Sequence, residues 1–364
     1  MMAKFLDIFV DVTKDGCKIP KENYLDHGTY PIIDQGQEYI AGFSDESEGL
    51  YENVPAIIFG DHTRIIKYVD KPCFLGADGV KLLKAKEPNS NYKYLYYALC
   101  HAKIPNTGYN RHFKWLKEID IRLPSKDEQQ HIVEILDKIS DLISLRKQQL
   151  AKLDELVKAR FVEMFGTFPA NPKNWETCKI RDVVVDVRYG TSRPAVENGE
   201  YPYLRMNNIT YSGELDLSDI KKIDVPENEL PKCTVRRGDV LFNRTNSKEL
   251  VGKTCVYNRD EMMVLAGFVI RIRVNNYILP DFLSSFLNAD FSKQMLYGMC
   301  KAAIGQANIN AQEMQSIALY LPPLALQQEF VKLREQIGQK KLTIQQSLDK
   351  LEVLKKSLMQ EYFG

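Results

Sequence analysis

Residues 160–166 read RFVEMFG, and residues 358–364, at the end of the chain, read LMQEYFG. A segment in the middle that ends as the chain ends invites alignment of the sequence with itself. Residues 121–166, IRLPSKDEQQHIVEILDKISDLISLRKQQLAKLDELVKARFVEMFG, lie without a gap over residues 319–364, LYLPPLALQQEFVKLREQIGQKKLTIQQSLDKLEVLKKSLMQEYFG. Leu123/Leu321, Pro124/Pro322, Gln129/Gln327, Gln130/Gln328, Leu150/Leu348, Leu153/Leu351, Leu156/Leu354 and Phe165/Phe363 coincide, as do Gly166 and Gly364. A second ungapped match lies far upstream, where KFLDIFVDV at 4–12 lies over KIRDVVVDV at 179–187. The repeating unit is much longer than the roughly 20–50 residues of a solenoid repeat. The chain is a duplicated module.

Both quoted segments are helical by periodicity. In 125–164, Ile132, Ile135, Ile139, Leu142, Leu150, Leu153, Val157 and Met164 keep mostly three- and four-residue spacing. In 324–362, Phe330, Leu333, Ile337, Ile344, Leu348, Leu351, Leu354 and Leu358 do the same. Apolar stripes of this kind between polar faces predict a coiled-coil seam. Ser125 with Glu128 forms a capping-box pattern after Pro124, which predicts where the first helix starts. Pro322-Pro323 excludes helix upstream of the second. GTFPANPKN at 166–174 carries a glycine and two prolines, so it ends the first helix and joins the halves. Neither stripe has a partner within its own half. The two helices are therefore expected to pack on each other, antiparallel, in an internal pseudo-dimer.

Ahead of each long helix, short apolar runs alternate with Gly, Asn and Asp clusters. They are YPIIDQGQEYI, VPAIIFG, TRIIKYV and GVKLLKA in the first half, and YPYLRMNNI, GDVLFN, KTCVYN and FVIRIRV in the second. Such runs read as short strands between turns. One helical patch follows in each half, YKYLYYALCHA and PDFLSSFLNADFSKQML. The fold class is α+β, with each half a mixed globule followed by one long helix. The predicted divisions are 1–120, 121–166 (helix), 167–177 (linker), 178–318 and 319–364 (helix).

Composition narrows the function by exclusion. With 44% apolar and 27% charged residues the chain is of ordinary globular type, and its formal charge of +1 offers no global attraction for polyanions. Any surface for nucleic acid must be local. Seven scattered cysteines without a CxxC predict neither a disulfide framework nor a zinc site, and suit a reducing compartment. MMAKFLDIFVDVTKDG has acids where a signal peptide has its apolar run, and the longest apolar stretch, MMVLAGFVI, is about half a membrane span. A cytoplasmic protein without a membrane segment is expected.

The sequence contains no GxxxxGK[ST], no GxGxxG after a strand and no HExxH. The histidines at 27, 62, 101, 112 and 131 have no ligand spacing, and His62 and His112 read as ordinary surface histidines in loops. No catalytic and no metal-binding residues are assigned. Three loops of the second half do collect side chains suited to base edges and phosphates: RYGTSRPA (188–195), LRMNNIT (204–210) and FNRTNSKE (242–249). Arg pairs bidentately with guanine and Asn or Gln with adenine, while Ser, Thr and Lys suit phosphates. The bland reading of the same residues is turn chemistry. The candidates here are Arg188, Thr191, Ser192, Arg193, Asn207, Asn208, Arg244, Thr245, Asn246 and Ser247. In the first half, IDQGQEY (33–39), GDHTR (60–64) and TGYNRHFK (107–114) supply Gln35, His62, Thr63, Arg64, Tyr109, Asn110 and Arg111. The tyrosines of YKYLYYAL read as helix-packing core, not as a stacking platform.

With these segments in hand, both halves resemble the specificity subunit of type I restriction–modification systems. GYNRHFKWLKEIDIRLPSKDEQQ and GQANINAQEMQSIALYLPPLALQQEF, each leading into a long helix that ends in Phe-Gly, carry the likeness, and YPIIDQGQEYIAGFSDES and YLRMNNIT…GDVLFNRTNS add to it. The resemblance spans the chain twice. It implies two target recognition domains, each reading one part of a split, asymmetric double-stranded DNA site, held apart by the antiparallel helices. It also implies two modification subunits that bind S-adenosylmethionine and methylate adenine, and restriction subunits that use ATP and Mg. The chain itself then has no catalysis and no cofactor of its own. The competing expectation is a coiled-coil scaffold that binds protein partners without DNA.

Overall fold

Pro124 bars helix before it, and the first long helix starts two residues later. In the computed structural model of the protein it spans Lys126–Phe165, and its repeat mate spans Leu324–Phe363, 40 residues each. The structure describes residues 1–76, 78–108, 110–300 and 307–364. Ser125 caps as predicted, accepting the Glu128 N–H at 3.3 Å. The Glu128 carboxylate turns away from the box to the Arg122 guanidinium at 2.7 Å, because a cation is the stronger partner for it. Gln129 and Gln327 coincide in the repeat for a local reason. Each donates through Nε2 to the proline carbonyl before its helix, Pro124 at 3.0 Å and Pro322 at 2.8 Å.

The chain divides into two units, residues 1–147 with 346–364, and residues 148–345. Each long helix is thus divided between them. Within the first unit the two helix segments are antiparallel. Arg122, just before the first helix, donates to the Tyr362 carbonyl near the end of the second at 3.0 Å, and Lys147 meets Glu352 at 3.1 Å. Within the second unit the same sense holds, with Lys341 at 2.7 Å from Asp154 and the Phe161 and Phe330 rings 5.3 Å apart. Lys341 also reaches Glu214 at 2.6 Å. Burial opposes its charge, but the bonds to Asp154 and Glu214 hold its pKa above the ordinary lysine value.

The repeated Phe-Gly endings now have a cause. Phe165 closes the first helix inside the core of the second unit, against Phe282 and Phe330. Phe363 closes the second helix against Tyr94 of the first unit, ring centroids 5.3 Å apart. Gly166 then takes φ +85°, a conformation that glycine reaches without strain. Repeat mates hold the two ends: the Tyr320 hydroxyl donates to the Gly166 carbonyl at 2.9 Å, where Arg122 holds the carbonyl of Tyr362.

The predicted stripes are right in kind and partly wrong in register. Ile132, Ile139, Phe330, Ile337 and Leu348 are buried, but Leu142 is 44% exposed and Leu354 46%. Ile135-Leu136 and Leu142-Ile143 each offer two neighbouring apolar side chains, and both choices fit three- and four-residue spacing. Packing selects the second of each pair, leaving Leu136 fully buried and Ile143 half-buried.

Each globule is built on the same topology. The first unit has a four-stranded antiparallel sheet in the order Phe9–Asp11, Val80–Ala85, Ala56–Gly60, Ile66–Val69. The second has Val184–Tyr189, Val269–Val274, Val240–Asn243, Thr254–Val256 in the same order. A smaller sheet accompanies each and contains one parallel pair: Tyr30–Ile33 with Phe74–Leu75, and Tyr201–Leu204 with Met263–Leu265. A third pair is antiparallel, Met2–Lys4 with Asp120–Arg122 and Glu176–Lys179 with Ala318–Leu321. KFLDIFVDV and KIRDVVVDV share a break as well. Each is interrupted by a short helical turn, Phe5–Ile8 and Ile180–Asp182, whose first residue is buried. YKYLYYAL is core as expected: Tyr92, Tyr94 and Tyr97 of the helix Tyr92–His101 are buried.

Candidate nucleic-acid interface

In the first unit the strand Ala56–Gly60 ends in the turn Asp61–Arg64, where Arg64 has φ +64°. The three loops singled out in the sequence converge on this turn. Gln35 accepts the His62 N–H on Oε1 at 3.1 Å and donates through Nε2 to the Asp78 carbonyl at 3.0 Å. Thr63 donates to the Gln35 carbonyl at 2.7 Å, and His62 Nδ1 lies 3.2 Å from the Asn110 carbonyl. Gln35 is therefore a strut: both ends of its amide are committed to the fold, and it is withdrawn as a base reader. Arg64 donates to the Ile104 carbonyl at 3.3 Å, and Asn110 to Thr107. Arg111 is exposed and pairs with no carboxylate among the described residues. Tyr109 lies outside the described residues.

His112 corrects the surface reading. It is fully buried, its N–H and Nδ1 both meet the Asp61 carbonyl, and the next N–H, of Phe113, donates to the Asp61 carboxylate at 2.7 Å. One residue at the tip of the strand thus fixes the loop 107–112 against the turn. Sequence reading passed over Asp61 because its role depends on a segment about fifty residues away.

In the second unit the strand Val240–Asn243 leads into Arg244 in the corresponding place. The Arg244 guanidinium sits 4.9 Å from the centre of the Tyr189 ring and donates to the Gly267 carbonyl at 3.3 Å. Its backbone is held on both sides, donating to Phe268 and accepting from Ile309 at 2.9 Å. Gly190 allows this convergence, since a Cβ there would stand 2.2 Å from the Leu265 carbonyl oxygen. The loops 188–195 and 242–249 therefore meet, with Gly267 between them. LRMNNIT is tied elsewhere: the Met206 carbonyl takes a bond from Lys253, and Arg205 meets Asp219 at 2.7 Å.

The candidate side chains differ sharply in what they have left to offer. Arg188 meets Asp186 at 2.9 Å and Arg193 is bidentate on Glu229 at 2.7 and 3.2 Å. Both are exposed pairs, whose opening costs about 0–1 kcal/mol. Arg244 meets no carboxylate among the described residues. Asn207 and Ser192 are exposed, and Thr191, Asn246 and Ser247 are half-buried. Asn208 is 2% exposed and Thr245 8%, so both are withdrawn as readers. Thr245 donates to Asn308 at 2.9 Å. Asn208 accepts the Arg205 N–H and donates to the carbonyls of Asp216 and Asp219. Their loops looked equally polar in sequence, and only the fold shows which side chains face inward. Tyr189, Gly267 and Asn308 are the partners that sequence reading did not select.

Asn208→Ala leaves those buried groups without a partner and is expected to lower stability by about 1–3 kcal/mol. Thermal denaturation checks this, and the sequence preference of whatever ligand the second unit binds should stay as it is.

Among the described residues no group of His, Cys, Asp or Glu could hold a metal ion, and all seven cysteines are free. No helix among them is long and apolar enough to cross a membrane. Comparison with known proteins gives a consistent result. The family model for the type I restriction modification DNA specificity domain matches residues 3–155 and 172–353. The putative type I restriction enzyme MjaX specificity subunit of Methanocaldococcus jannaschii is 27% identical over 196 residues, 53% of this chain and 46% of that one. The type I restriction enzyme EcoKI specificity subunit of Escherichia coli is 24% identical over 235 residues, 60% of this chain and 50% of that one. The chain spans about half the length of these curated relatives. The crystal structure of a type I restriction-modification S subunit from M. genitalium shares the fold, with a TM-score of 0.57 at 17% identity over 100% of this chain and 96% of that one.

Proposed function

Because the chain belongs to the family of the type I restriction modification DNA specificity domain, we propose that it selects the DNA sequence on which a restriction–modification complex acts. Each unit reads one part of a split, asymmetric site in double-stranded DNA. The observation that carries this is the pair of equal frameworks with unequal tips. The central strands Ala56–Gly60 and Val240–Asn243 occupy the same place in the same sheet order, yet one presents His62, Thr63 and Arg64 and the other Arg244, Asn246 and Ser247. A common scaffold fixes position, and different side chains at its tip give different preferences.

Two modification subunits, bringing S-adenosylmethionine for adenine methylation, dock on the long helices, and restriction subunits using ATP and Mg complete the nuclease. Apolar side chains left outside the seam support the docking: Leu142, Leu145 and Val353 in the first unit, and Leu156 and Leu342 in the second, are 41–69% exposed. The chain contributes recognition and no chemistry. The test is selection from a randomised duplex pool by the chain assembled with a modification subunit. Two short conserved blocks of different sequence, separated by an unread spacer, are expected. Recovery of no sequence would favour a protein-binding scaffold.

A further inference from the structure

We propose that the short helix Phe113–Leu116 and its flanks anchor the first unit to the phosphate backbone through Arg111, Lys114 and Lys117, and that the matching helix of the second unit, Ala311–Ser316, supplies no such anchor. The inference rests on the reading of the chain as a DNA-sequence selector and adds a division of labour between its units.

Three observations carry it. First, these three cations crowd into seven residues, RHFKWLK at 111–117, all three are exposed, and none pairs with a carboxylate among the described residues. In the second unit the arginines of the candidate loops are largely answered already, Arg188 by Asp186, Arg193 by Glu229 and Arg205 by Asp219. Second, aromatic faces hold the ammonium groups in place without cancelling their charge. Lys114 Nζ lies 4.1 Å from the centre of the Trp115 ring, and Lys117 Nζ 4.8 Å from that of Phe113. A ring quadrupole attracts the cation but leaves its net charge for a phosphate. Third, the segment is bolted to the candidate reading turn. The Asp61 carbonyl and carboxylate take the N–H groups of His112 and Phe113, each at 2.7 Å.

The repeat supplies an internal comparison. In the ungapped alignment Lys114 falls on Gln312 and Lys117 on Gln315, and the helix Ala311–Ser316, AQEMQS, carries Glu313 and no cation. That carboxylate accepts the N–H of the cap residue Asn310 at 2.9 Å. The same place in the fold is thus used for a helix cap in one unit and for three positive charges in the other. Backbone anchoring sets register on the duplex without reading its sequence, so a single anchored unit suffices to orient the chain.

The experiment measures binding of a labelled random-sequence duplex, as a function of salt, by the full chain assembled with a modification subunit. Each lost phosphate contact lowers the slope of log K against log salt by about 0.9. The R111Q/K114Q/K117Q chain should therefore lose about 2.7 from the slope and bind about two to three orders of magnitude more weakly at 0.1 M salt. K114R/K117R, which keeps the charge, should match the unmodified chain. The two blocks selected from a randomised pool should not change. An unchanged slope in the triple variant overturns the anchor while leaving the proposed function intact. A relaxed block with an unchanged slope overturns it too, since these residues would then be base readers. Failure of the unmodified chain to bind duplex DNA overturns the functional reading itself.

Discussion

Phe330→Ala is expected to lower stability by about 3–5 kcal/mol, the usual cost of emptying a phenylalanine site in a packed core. Phe330 is fully buried and its ring stands 5.3 Å from Phe161 and 5.6 Å from Phe165. These three rings and Phe282 join the end of the first helix, the start of the second and the globule of the second unit. The rings of Phe161, Phe165 and Phe282 are stiff and themselves buried, so they do not collapse into the space. For a unit of this size the unfolding midpoint should fall by roughly 6–20 °C. Phe330→Leu, which keeps much of the volume, should lose far less. A midpoint for Phe330→Ala within a degree or two of the unmodified chain would mean that the helix seam is not packed as described.

The second large effect lies in the sheet of the second unit. Arg271 is 2% exposed, and its guanidinium meets Asp186 at 2.7 Å and the carbonyl of Thr234. Asp186→Ala would leave a buried cation without its counter-charge, a change that costs about 3–5 kcal/mol. Burial alone would raise the Asp186 pKa, but the bonds from Arg271 and Arg188 outweigh it and hold the carboxyl below its ordinary value of 3.8. The sign of the pH effect follows. The unfolded chain takes up the proton at higher pH than the folded one, so the contribution is fully present above about pH 4–5. It is lost as pH falls through the depressed value of the folded state. Acid titration of stability should therefore be shallower in Asp186→Asn than in the unmodified chain. Equal acid sensitivity would show that the pair does not carry this linkage. Arg188, released from Asp186 in either variant, gains freedom at the edge of the candidate interface, so any change in DNA selection should be confined to one block.

Much of the fold was legible because duplication makes the sequence check itself. The Leu-Pro junctions, the paired glutamines and the Phe-Gly endings all recur, and each recurrence has a local physical cause: a helix start, a capped proline carbonyl, a ring in a core. What stayed hidden depends on contacts distant in sequence. Leu142 and Ile143 are equally apolar, and only the facing helix decides which one it covers. Phe363 belongs to the unit that starts the chain, which no local pattern reveals. The site was less legible still. Polar loops at strand ends can be located, but Gln35, Asn208 and Thr245 are spent on holding those loops together, while Arg244 meets no carboxylate among the described residues. Composition treats all of these as equivalent; burial marks out Asn208 and Thr245, and hydrogen bonds mark out Gln35. His112 looked like a surface histidine because its neighbours are polar, yet the Asp61 carbonyl draws it into the interior.

The most direct measurement compares the sequences selected from one randomised duplex pool by the unmodified chain and by Arg244→Ala, each assembled with a modification subunit. Arg244 is held by the Tyr189 ring and the Gly267 carbonyl at the tip of the second unit's central strand. Loss of one base contact is worth about 1–3 kcal/mol at the position it reads. One block should therefore relax at one or two positions by roughly 5- to 150-fold, with the other block unaltered. Relaxation of both blocks, or of neither, would contradict the claim that each unit reads its own part of the site.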